Sequence, residues 1–451
     1  MKTLRDFALF LRDCVRAALT GGRAYWLWVG LLGVLLGVGL YAYVHQLRVG
    51  LGATGMRDQV SWAFYIGNFT FLVGVADAAV LVVIPAYIYK WKPAREVVVF
   101  GLLLAIAAVS MAATFVLVDI GHPERLWHLF PLIGSLNLPN SLLAWDVVAL
   151  NSYLLLNIVI VLYGLFSLWK GKIPGRGVFL TMILVSIPVA IAVHTVTAFL
   201  YNGLASRPFW NSSILAPRFI ASAFCSGPAV LLVLLQILRR VTKFDVQNQV
   251  LWKLAELMAY AMGFNLFLLA AEVFKEFYSG TEHSRHIYYM FTGLDGHNAI
   301  VPYIWIAVIC SVAAFFILLI PRLRMHPVLL NVGCALTFVG VYIEKGIGLV
   351  IPGLTPDALG EIYEYVPTLT ELGVTAGIFG MGGLIFTFGV KASLPLLEKF
   401  RGDGPGGGPA GGLPASGSAP PKRLPPLPRT ARRARRRSRG GGRATGASGT
   451  G

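Results

Sequence analysis

Ten stretches of about 20 apolar residues limit what this chain can fold into. A helix rises about 1.5 Å per residue, so about 20 residues cross the roughly 30 Å hydrocarbon layer of a bilayer. Of the 451 residues, 56% are hydrophobic and only 13% are charged, which excludes an ordinary water-soluble globular protein. We predict an all-α integral membrane protein built as a bundle of ten transmembrane helices. Their predicted ranges are 24–44, 68–89, 97–118, 142–168, 178–199, 219–238, 251–277, 299–320, 327–351 and 372–390.

Lysine and arginine are unevenly distributed among the connections between these spans. Up to residue 401, the N-terminal segment and every second connection hold 20 basic residues, and the other connections hold 7. In membrane proteins the excess of basic residues lies on the cytoplasmic side. We therefore predict that both termini are cytoplasmic and that the protein spans the cytoplasmic (inner) membrane several times.

The two ends of the chain differ from the predicted transmembrane domain, residues 24–395. Residues 1–23 place basic side chains among Leu4, Phe7 and Leu11 without a continuous apolar run, which predicts an amphipathic segment at the cytoplasmic membrane surface. Residues 396–451 are rich in Gly, Pro and Arg and bury too little apolar area to fold, so we predict a disordered cytoplasmic tail. The net charge of +17 belongs to the tail and loops, which favours membrane lipid over nucleic acid as a partner.

Ionisable side chains inside the apolar stretches are the main functional feature. Such a group costs several kcal/mol in hydrocarbon unless it is paired or hydrated, so it indicates proton or substrate chemistry. For each residue, a structural hydrogen bond between helices is the alternative. Most of the ionisable residues fall in the half of the membrane away from the cytoplasm, and Glu256 falls near the cytoplasmic face. The complete set is Asp77, Asp146, His194, Arg218, Glu256, Glu272, Glu344 and Lys345.

The composition of this outer-half cluster suits the oxidation of a quinol. Two phenolic protons need acceptors, the carbonyl form needs a donor, and the isoprenoid tail needs an apolar slot. The catalytic candidates are His194, Asp146, Glu272, Glu344 and Arg218. Asp77 and Glu256 lie closer to the cytoplasm and are candidates for an inward proton path.

The chain offers few ligands for an electron carrier of its own. Its four cysteines are scattered without C-x-x-C spacing, so we expect no iron–sulfur cluster. Haem b between spans commonly uses facing histidine pairs, and only His194 lies well inside a span, so we expect no haem. His283, His286 and His297 share a loop without an obvious carboxylate set, and we predict no metal site there.

A motif after the third span resembles a known family. Residues 119–125, Asp-Ile-Gly-His-Pro-Glu-Arg, are similar to the D-x-G-x-P-x-R pattern of the NrfD/PsrC family, the membrane subunits of polysulfide-reductase-like quinone oxidoreductases. The matching positions are Asp119, Gly121, Pro123 and Arg125. Asp119 can cap its helix or pair with Arg125.

Further segments resemble the ten-span branch of that family, found in Dsr-type and Hmc-type transmembrane complexes. Together they cover about residues 20–395 and leave out the tail. The segments are 61–68, 137–146, 216–219, 223–228, 272–278, 344–346, 351–353 and 365–368.

The resemblance implies a haem-free subunit of a respiratory oxidoreductase that binds menaquinone or ubiquinone. It also implies an iron–sulfur, ferredoxin-like partner on the outer face, with cytochrome c and further membrane subunits as additional candidate partners. By this resemblance Asp119 and Arg125 are candidate quinone-binding residues. We add Trp145, which precedes Asp146, and Lys345. The chain is then the quinone-reactive part of an enzyme that is incomplete without its partners.

Two other functions stay open on the sequence. A proton-coupled secondary transporter also uses ionisable residues near mid-membrane, often beside helices broken at corresponding positions of two halves. We expect Pro85, Pro188 and Pro228 to interrupt their spans, but no convincing repeat accompanies them. The other alternative is a purely structural membrane anchor, for which neutralising the buried acids leaves activity intact.

Overall fold

A computed structural model describes residues 2–130, 133–242, 244–280 and 284–402. All regular elements of these ranges are helical, as predicted. Most of the predicted tail, from residue 403 onward, lies outside the described residues. The α-helices are α1 (Lys2–Ala18), α2 (Arg23–Val49), α3 (Phe64–Ala76), α4 (Ala78–Val83), α5 (Lys92–Arg95), α6 (Val98–Asp119), α7 (Leu142–Trp169), α8 (Arg176–Asn202), α9 (Leu215–Val241), α10 (Asn248–Ser279), α11 (Arg285–Phe291), α12 (Val301–Leu319), α13 (Pro321–Arg324), α14 (Pro327–Lys345), α15 (Ile347–Leu354) and α16 (Leu369–Gly402).

Within the described ranges, ten segments are long and apolar enough to cross a membrane, which confirms the predicted number. Eight are the single helices α2, α6, α7, α8, α9, α10, α12 and α16. The other two each contain two helices: Phe64–Ile88 joins α3 and α4 to a π-helical turn, and Pro327–Leu354 joins α14 and α15. A helix satisfies its own backbone polar groups, which lipid cannot do. Several helices are longer than the apolar runs that predicted them, because their first and last turns contain polar residues; α10, Asn248–Ser279, extends the predicted range 251–277 at both ends.

Helix α9 lies at the centre of the bundle. It packs against α3, α4 and α8 on one side and against α10 and α14 on the other. The first side is completed by α6 and α7, and the second by α12. Side chains on different faces of α9 can therefore contact two separate groups of helices.

Two spans are interrupted in their interiors. Asp77 separates α3 from α4, and Gly346 separates α14 from α15. The two interrupted spans touch, because a Cβ added to Gly67 would lie 3.2 Å from the carbonyl carbon of Gly346. The close approach needs the absence of a side chain at both positions.

Proline is a poor guide to these interruptions. Pro188 lies inside the continuous helix α8, and Pro228 lies inside the continuous helix α9. Only Pro85 lies in an irregular segment, the π-helical turn Ile84–Ile88. The prediction that all three prolines interrupt spans is therefore wrong for two of them, since a membrane helix can accommodate a proline that its neighbours support.

Helix α1 packs on the end of α7. Asp6 Oδ2 lies 3.3 Å from Lys170 Nζ, and Phe10 is fully buried against the rings of Phe166 and Trp169. Lys170 follows Asp146 by 24 positions, which is about 36 Å along a helix. Helix α1 and Asp146 therefore lie at opposite ends of α7.

The connection between α10 and α12, which contains α11, and the connection between α15 and α16 form a packed cover at the end of the bundle opposite α1. His286 of α11 is 7% exposed, and its Nδ1–H donates to the carbonyl oxygens of Pro352 at 2.7 Å and Thr355 at 3.1 Å. In the same region, the Ala299 N–H donates to Glu364 Oε1 at 3.2 Å. Burial lowers the pKa of His286, and the two backbone hydrogen bonds oppose this shift.

Candidate functional site

Arg218, in the first turn of α9, is held between two carboxylates from other helices. Its Nη1 donates to Glu272 of α10, and its Nη2 donates to Glu344 Oε1 of α14 at 2.9 Å. Asn265 Nδ2 donates to the other oxygen of Glu344, also at 2.9 Å. The side chains of Arg218 and Glu272 are each 5% exposed, so water screens these ion pairs little. They join α9, α10 and α14 at one depth.

Lys345 completes this cluster. Its Nζ lies 3.9 Å from Glu344 Oε1 and 4.8 Å from the ring centroid of Phe219. Helix geometry predicts that adjacent residues face different directions and that each finds a partner on another span. Both residues have such partners on α9, Arg218 for Glu344 and the ring of Phe219 for Lys345, and the stem of Lys345 also brings Nζ near the neighbouring carboxylate. Two cations and two carboxylates then balance in a buried site.

The ion pairs line a cavity of about 480 Å³. Its mostly apolar walls, with a few charged groups, are typical of sites for small organic molecules. Glu272 uses one carboxylate oxygen for Arg218, and no hydrogen bond of the described residues uses its Oε1. Apolar wall residues include Phe209, Ile287, Met290, Ile304, Val308 and Leu349.

His194 of α8 lies between two acids. Its Nδ1–H donates to the carbonyl oxygen of Ala190 at 2.9 Å and lies 3.4 Å from Asp77 Oδ2. The second acid, Asp146, accepts a 2.6 Å hydrogen bond from Thr197 and interacts electrostatically with His194. Each of the three ionisable residues is at most 2% exposed. Asp77, a candidate for an inward proton path, lies next to His194.

A second cavity, of about 220 Å³, connects the two groups of ionisable residues. His194 contributes to one part of its wall and Lys345 to another, together with Thr70, Ser222 and Ser226. Five of the predicted residues therefore line the two cavities, and Asp77 and Asp146 both interact with His194. The five are His194, Arg218, Glu272, Glu344 and Lys345.

Glu256 lies far from this site. It precedes Glu272 by 16 positions on α10, about 24 Å along the helix. Its carboxylate accepts hydrogen bonds from Lys253 at 3.1 Å, Tyr260 at 3.0 Å and Arg324 at 2.7 Å. In the part of the chain that the structure describes, no hydrogen bond or ion pair joins Glu256 to Asp77. A direct two-residue proton path is therefore not formed.

The motif residues are also separate from the ion pairs. Asp119 Oδ1 is buried without a hydrogen-bond partner among the described residues, whereas Arg125 is exposed. No ion pair of the described ranges joins them, so the expected pairing is wrong: the chain turns at Gly121 into the 3-10 helix Pro123–Leu129. Trp145 is 42% exposed and donates to the Pro139 carbonyl oxygen at 3.0 Å.

The loop histidines do not form a metal site in the described part of the chain. His286 is bound to backbone carbonyls, and His297 Nδ1 lies 3.6 Å from Glu364. His283 lies outside the described residues. No group of three or more possible ligands occurs among the residues that the structure describes.

Two important polar residues were missed by counting charges in apolar runs. Asn265 lies seven positions before Glu272, so both fall on one face of α10, a spacing that predicts their proximity. Glu371 is fully buried and accepts from the Thr368 N–H at 2.8 Å, while its own N–H donates to Thr368 Oγ1 at 3.3 Å. This is a capping box, and the Thr-x-x-Glu sequence before α16 predicts it.

These features define a class of protein, a helical membrane protein with a buried, charged cavity near one end of its bundle. The family model for the polysulphide reductase NrfD matches residues 52–356. The chain belongs to the NrfD family, and it is a multi-pass integral membrane protein. The family expected from the D-x-G-x-P-x-R motif is thus confirmed.

Relatives from several complexes share most of the chain. A protein of Halobacterium salinarum, provisionally named as a membrane subunit of dimethyl sulfoxide reductase, is 27% identical over 82% of this chain and 91% of its own length. A selenate reductase subunit of Mesobacillus selenatarsenatis is 24% identical over 81% and 92%. The Hdr-like menaquinol oxidoreductase integral membrane subunit of Archaeoglobus fulgidus is 23% identical over 83% and 94%. The relatives are thus subunits of reductases or of menaquinol oxidoreductases.

Proposed function

We propose that this chain is the quinone-reactive membrane subunit of a multi-subunit respiratory oxidoreductase. Its membership of the NrfD family and its similarity to a menaquinol oxidoreductase subunit support a role in exchanging electrons with membrane quinone. One structural observation carries the proposal. Arg218, bonded to Glu272 and Glu344, lines an apolar cavity of about 480 Å³ inside the membrane-spanning bundle.

The residues around this cavity suit a quinone head group. Its apolar walls exclude water and accommodate a ring with an isoprenoid tail, while a guanidinium and carboxylates offer a donor and acceptors for the ring oxygens. Ionisable groups buried within a membrane are costly, and their position on the cavity wall supports a role in binding a polar ligand group. Menaquinone and ubiquinone both fit this description.

The chain's own groups can take the protons of the reaction. A bound quinol supplies two electrons and two protons on oxidation. Glu272 is the first acceptor in this proposal, because its Oε1 makes no hydrogen bond with the described residues and lies beside the cavity. Arg218 keeps Glu272 and Glu344 in place and balances their charge. His194 and Asp146 act on the far side of Lys345 as further proton-accepting groups.

The electrons leave the chain to a partner. The four cysteines have no cluster-binding spacing, so we assign the electron carrier to an iron–sulfur, ferredoxin-like subunit. We place it on the outer face, because the basic connections favour a cytoplasmic location for the opposite end of the bundle. The packed cover that contains α11 is the proposed docking surface.

The test is quinol oxidation by the complex purified with its native partners. Wild-type complex should reduce its partner at the expense of menaquinol or ubiquinol, and Glu272→Gln should lose at least ten-fold in rate while the subunits stay together. Glu276→Gln is the matched control, because Glu276 lies one turn further along α10 and pairs with Lys275 at 2.7 Å. Equal rates in wild type and Glu272→Gln would reject the proposed role and favour the structural anchor.

One observation favours proton-coupled transport as a second candidate. The interrupted spans at Asp77 and Gly346 touch each other, and each interruption adjoins a buried ionisable residue, an arrangement that transporters use. Substrate-dependent acidification by the isolated chain in liposomes would support this function. If the isolated chain acidifies no liposomes with any substrate, and quinol is oxidised when the partner subunits are present, transport is rejected.

A further inference from the structure

Several buried polar atoms around the 220 Å³ cavity lack a partner among the described residues. They are His194 Nε2, Lys345 Nζ and Ser226 Oγ, and all three residues line this cavity. Each residue is at most 3% exposed. A buried polar group without a hydrogen bond destabilises the fold, so such groups are nearly always satisfied by protein or by bound water.

The hydrogen-bonding properties of these atoms are complementary to water. Ala190's carbonyl oxygen accepts from His194 Nδ1–H, which leaves Nε2 of the neutral ring as an acceptor. The Lys345 ammonium is only a donor, and the Ser226 hydroxyl is both. One water can accept from Lys345, donate to His194 and bond to Ser226. A buried water makes two to four hydrogen bonds, and the three residues on this cavity wall offer that number of partners.

We propose that this cavity binds water and that the water carries protons between Lys345 and His194. The N–H bond at Lys345 Nζ breaks as the water takes that proton, and the water gives one of its own to His194 Nε2, where a new N–H bond forms. The water is regenerated, and the imidazolium lies 3.4 Å from Asp77. Lys345 regains a proton from the side of Glu344, 3.9 Å away. The origin of the proton rests on the proposed function, but the water site does not.

Two neighbouring serines of α9 provide a matched test. Ser226 has the unsatisfied hydroxyl, whereas Ser222, one turn earlier, lines the same cavity but donates to the Arg218 carbonyl oxygen at 2.8 Å. A third variant, Gly74→Ala, narrows the cavity without removing a polar group, because its Cβ would lie 3.0 Å from Ser226 Oγ.

The first measurement detects the water directly. Infrared difference spectra of the purified complete complex in H₂¹⁶O and H₂¹⁸O should contain an isotope-sensitive O–H stretch of an internal water in the wild type. The band should persist in Ser222→Ala and shift or disappear in Ser226→Ala and Gly74→Ala. Absence of the band from the wild type, or the same response in both serine variants, would overturn the proposal.

The second measurement tests proton transfer. In single-turnover quinol oxidation, Ser226→Ala and Gly74→Ala should slow proton uptake at His194 at least three-fold and raise the H₂O/D₂O rate ratio, with quinone affinity unchanged. Ser222→Ala should behave as wild type. Wild-type rates and isotope ratios in Ser226→Ala would overturn the relay. A wild-type complex that oxidises no quinol but retains the ¹⁸O-sensitive band would instead reject the proposed function and support the water site.

Discussion

Arg218 and Glu344 are 126 residues apart in the chain, yet their side chains form a buried ion pair of 2.9 Å. The pair connects α9 to α14, and the bond from Arg218 to Glu272 extends the connection to α10. In lipid, where the hydrophobic effect does not drive helices together, such polar contacts fix which faces of helices meet. The same contacts that hold the second half of the bundle therefore also shape its cavity.

Replacing Arg218 with Gln should destabilise the protein strongly. The change leaves Glu272 and Glu344 buried without their shared cation, and breaking a buried ion pair costs about 3–5 kcal/mol. The control is Arg285→Gln, which breaks the exposed pair of Arg285 and Asp295 at 3.2 Å and should cost less than about 1 kcal/mol. Thermal unfolding in detergent measures both. Equal midpoints for the two variants would contradict the buried role of Arg218.

The two nitrogens of His194 can be separated by mutation. The side-chain amide of Asn can replace the Nδ1–H donor toward the Ala190 carbonyl oxygen, but it places no polar atom at the position of Nε2. The longer side chain of Gln reaches the position of Nε2. We expect His194→Asn to keep its thermal stability and to lose at least ten-fold in quinol oxidation. Thr195→Val is the control, because Thr195 is partly exposed and donates to the Ile191 carbonyl oxygen of its own helix. Full activity in His194→Asn would remove Nε2 from the proposed relay.

The helical architecture could be predicted because it depends on local composition. An apolar run of sufficient length forms a helix in lipid whatever its neighbours are, so the number of spans follows from the sequence. The interruptions at Asp77 and Gly346 could not be located in the same way. Gly346 packs against Gly67 of a distant span, and the break at Asp77 packs against α9, where a Cβ added to Gly227 would lie 2.6 Å from the Ala78 nitrogen. No local pattern records either contact.

The candidate site could be predicted in part. Position along each span placed Arg218, Glu272 and Glu344 in the same half of the membrane, because rise per residue is constant, and the structure brings the three side chains into contact. Depth does not give rotation about the helix axis. Trp145 and Asp146 are adjacent at one depth, yet Trp145 is 42% exposed and Asp146 is 2% exposed. Counting charged residues in apolar runs also does not detect glycine packing or neutral hydrogen-bond partners such as Asn265.

Glycine contacts at the edge of the bundle allow a direct test of packing. A Cβ at Gly39 of α2 would overlap the backbone of Gly377 in α16, whereas a Cβ at Gly33 meets no atom within 4 Å. Gly39→Ala should therefore separate the two helices and lower the unfolding midpoint by several degrees, and Gly33→Ala should leave it unchanged or slightly raised, since Ala favours helix. Crosslinking between α2 and α16 through introduced cysteines provides a second measurement. Unaltered crosslinking in Gly39→Ala would argue against this contact.

His286 should make the cover around α11 sensitive to acid. Burial lowers its pKa from the ordinary 6.5, and the nearby Arg207 and Arg285 act in the same direction, whereas the hydrogen bonds to Thr355 and Pro352 oppose them. When the cover opens, His286 regains its ordinary pKa and takes up a proton below about pH 6.5, whereas in the packed cover it binds the proton less readily. The stability of the packed cover therefore falls as the pH decreases below about 6.5. Above this pH, the contribution is complete.

Hydrogen exchange of the α11 amides, measured from pH 7.5 to 5.0 and corrected for the intrinsic pH dependence of exchange, tests this effect. Protection should decrease with acidification in the wild type. His286→Asn keeps a donor toward the Pro352 carbonyl without a titrating group, so its corrected protection should be nearly independent of pH. Amides of α6, which lie outside this cover, serve as the internal control. A pH dependence that is the same in wild type and His286→Asn would assign the acid sensitivity to another group.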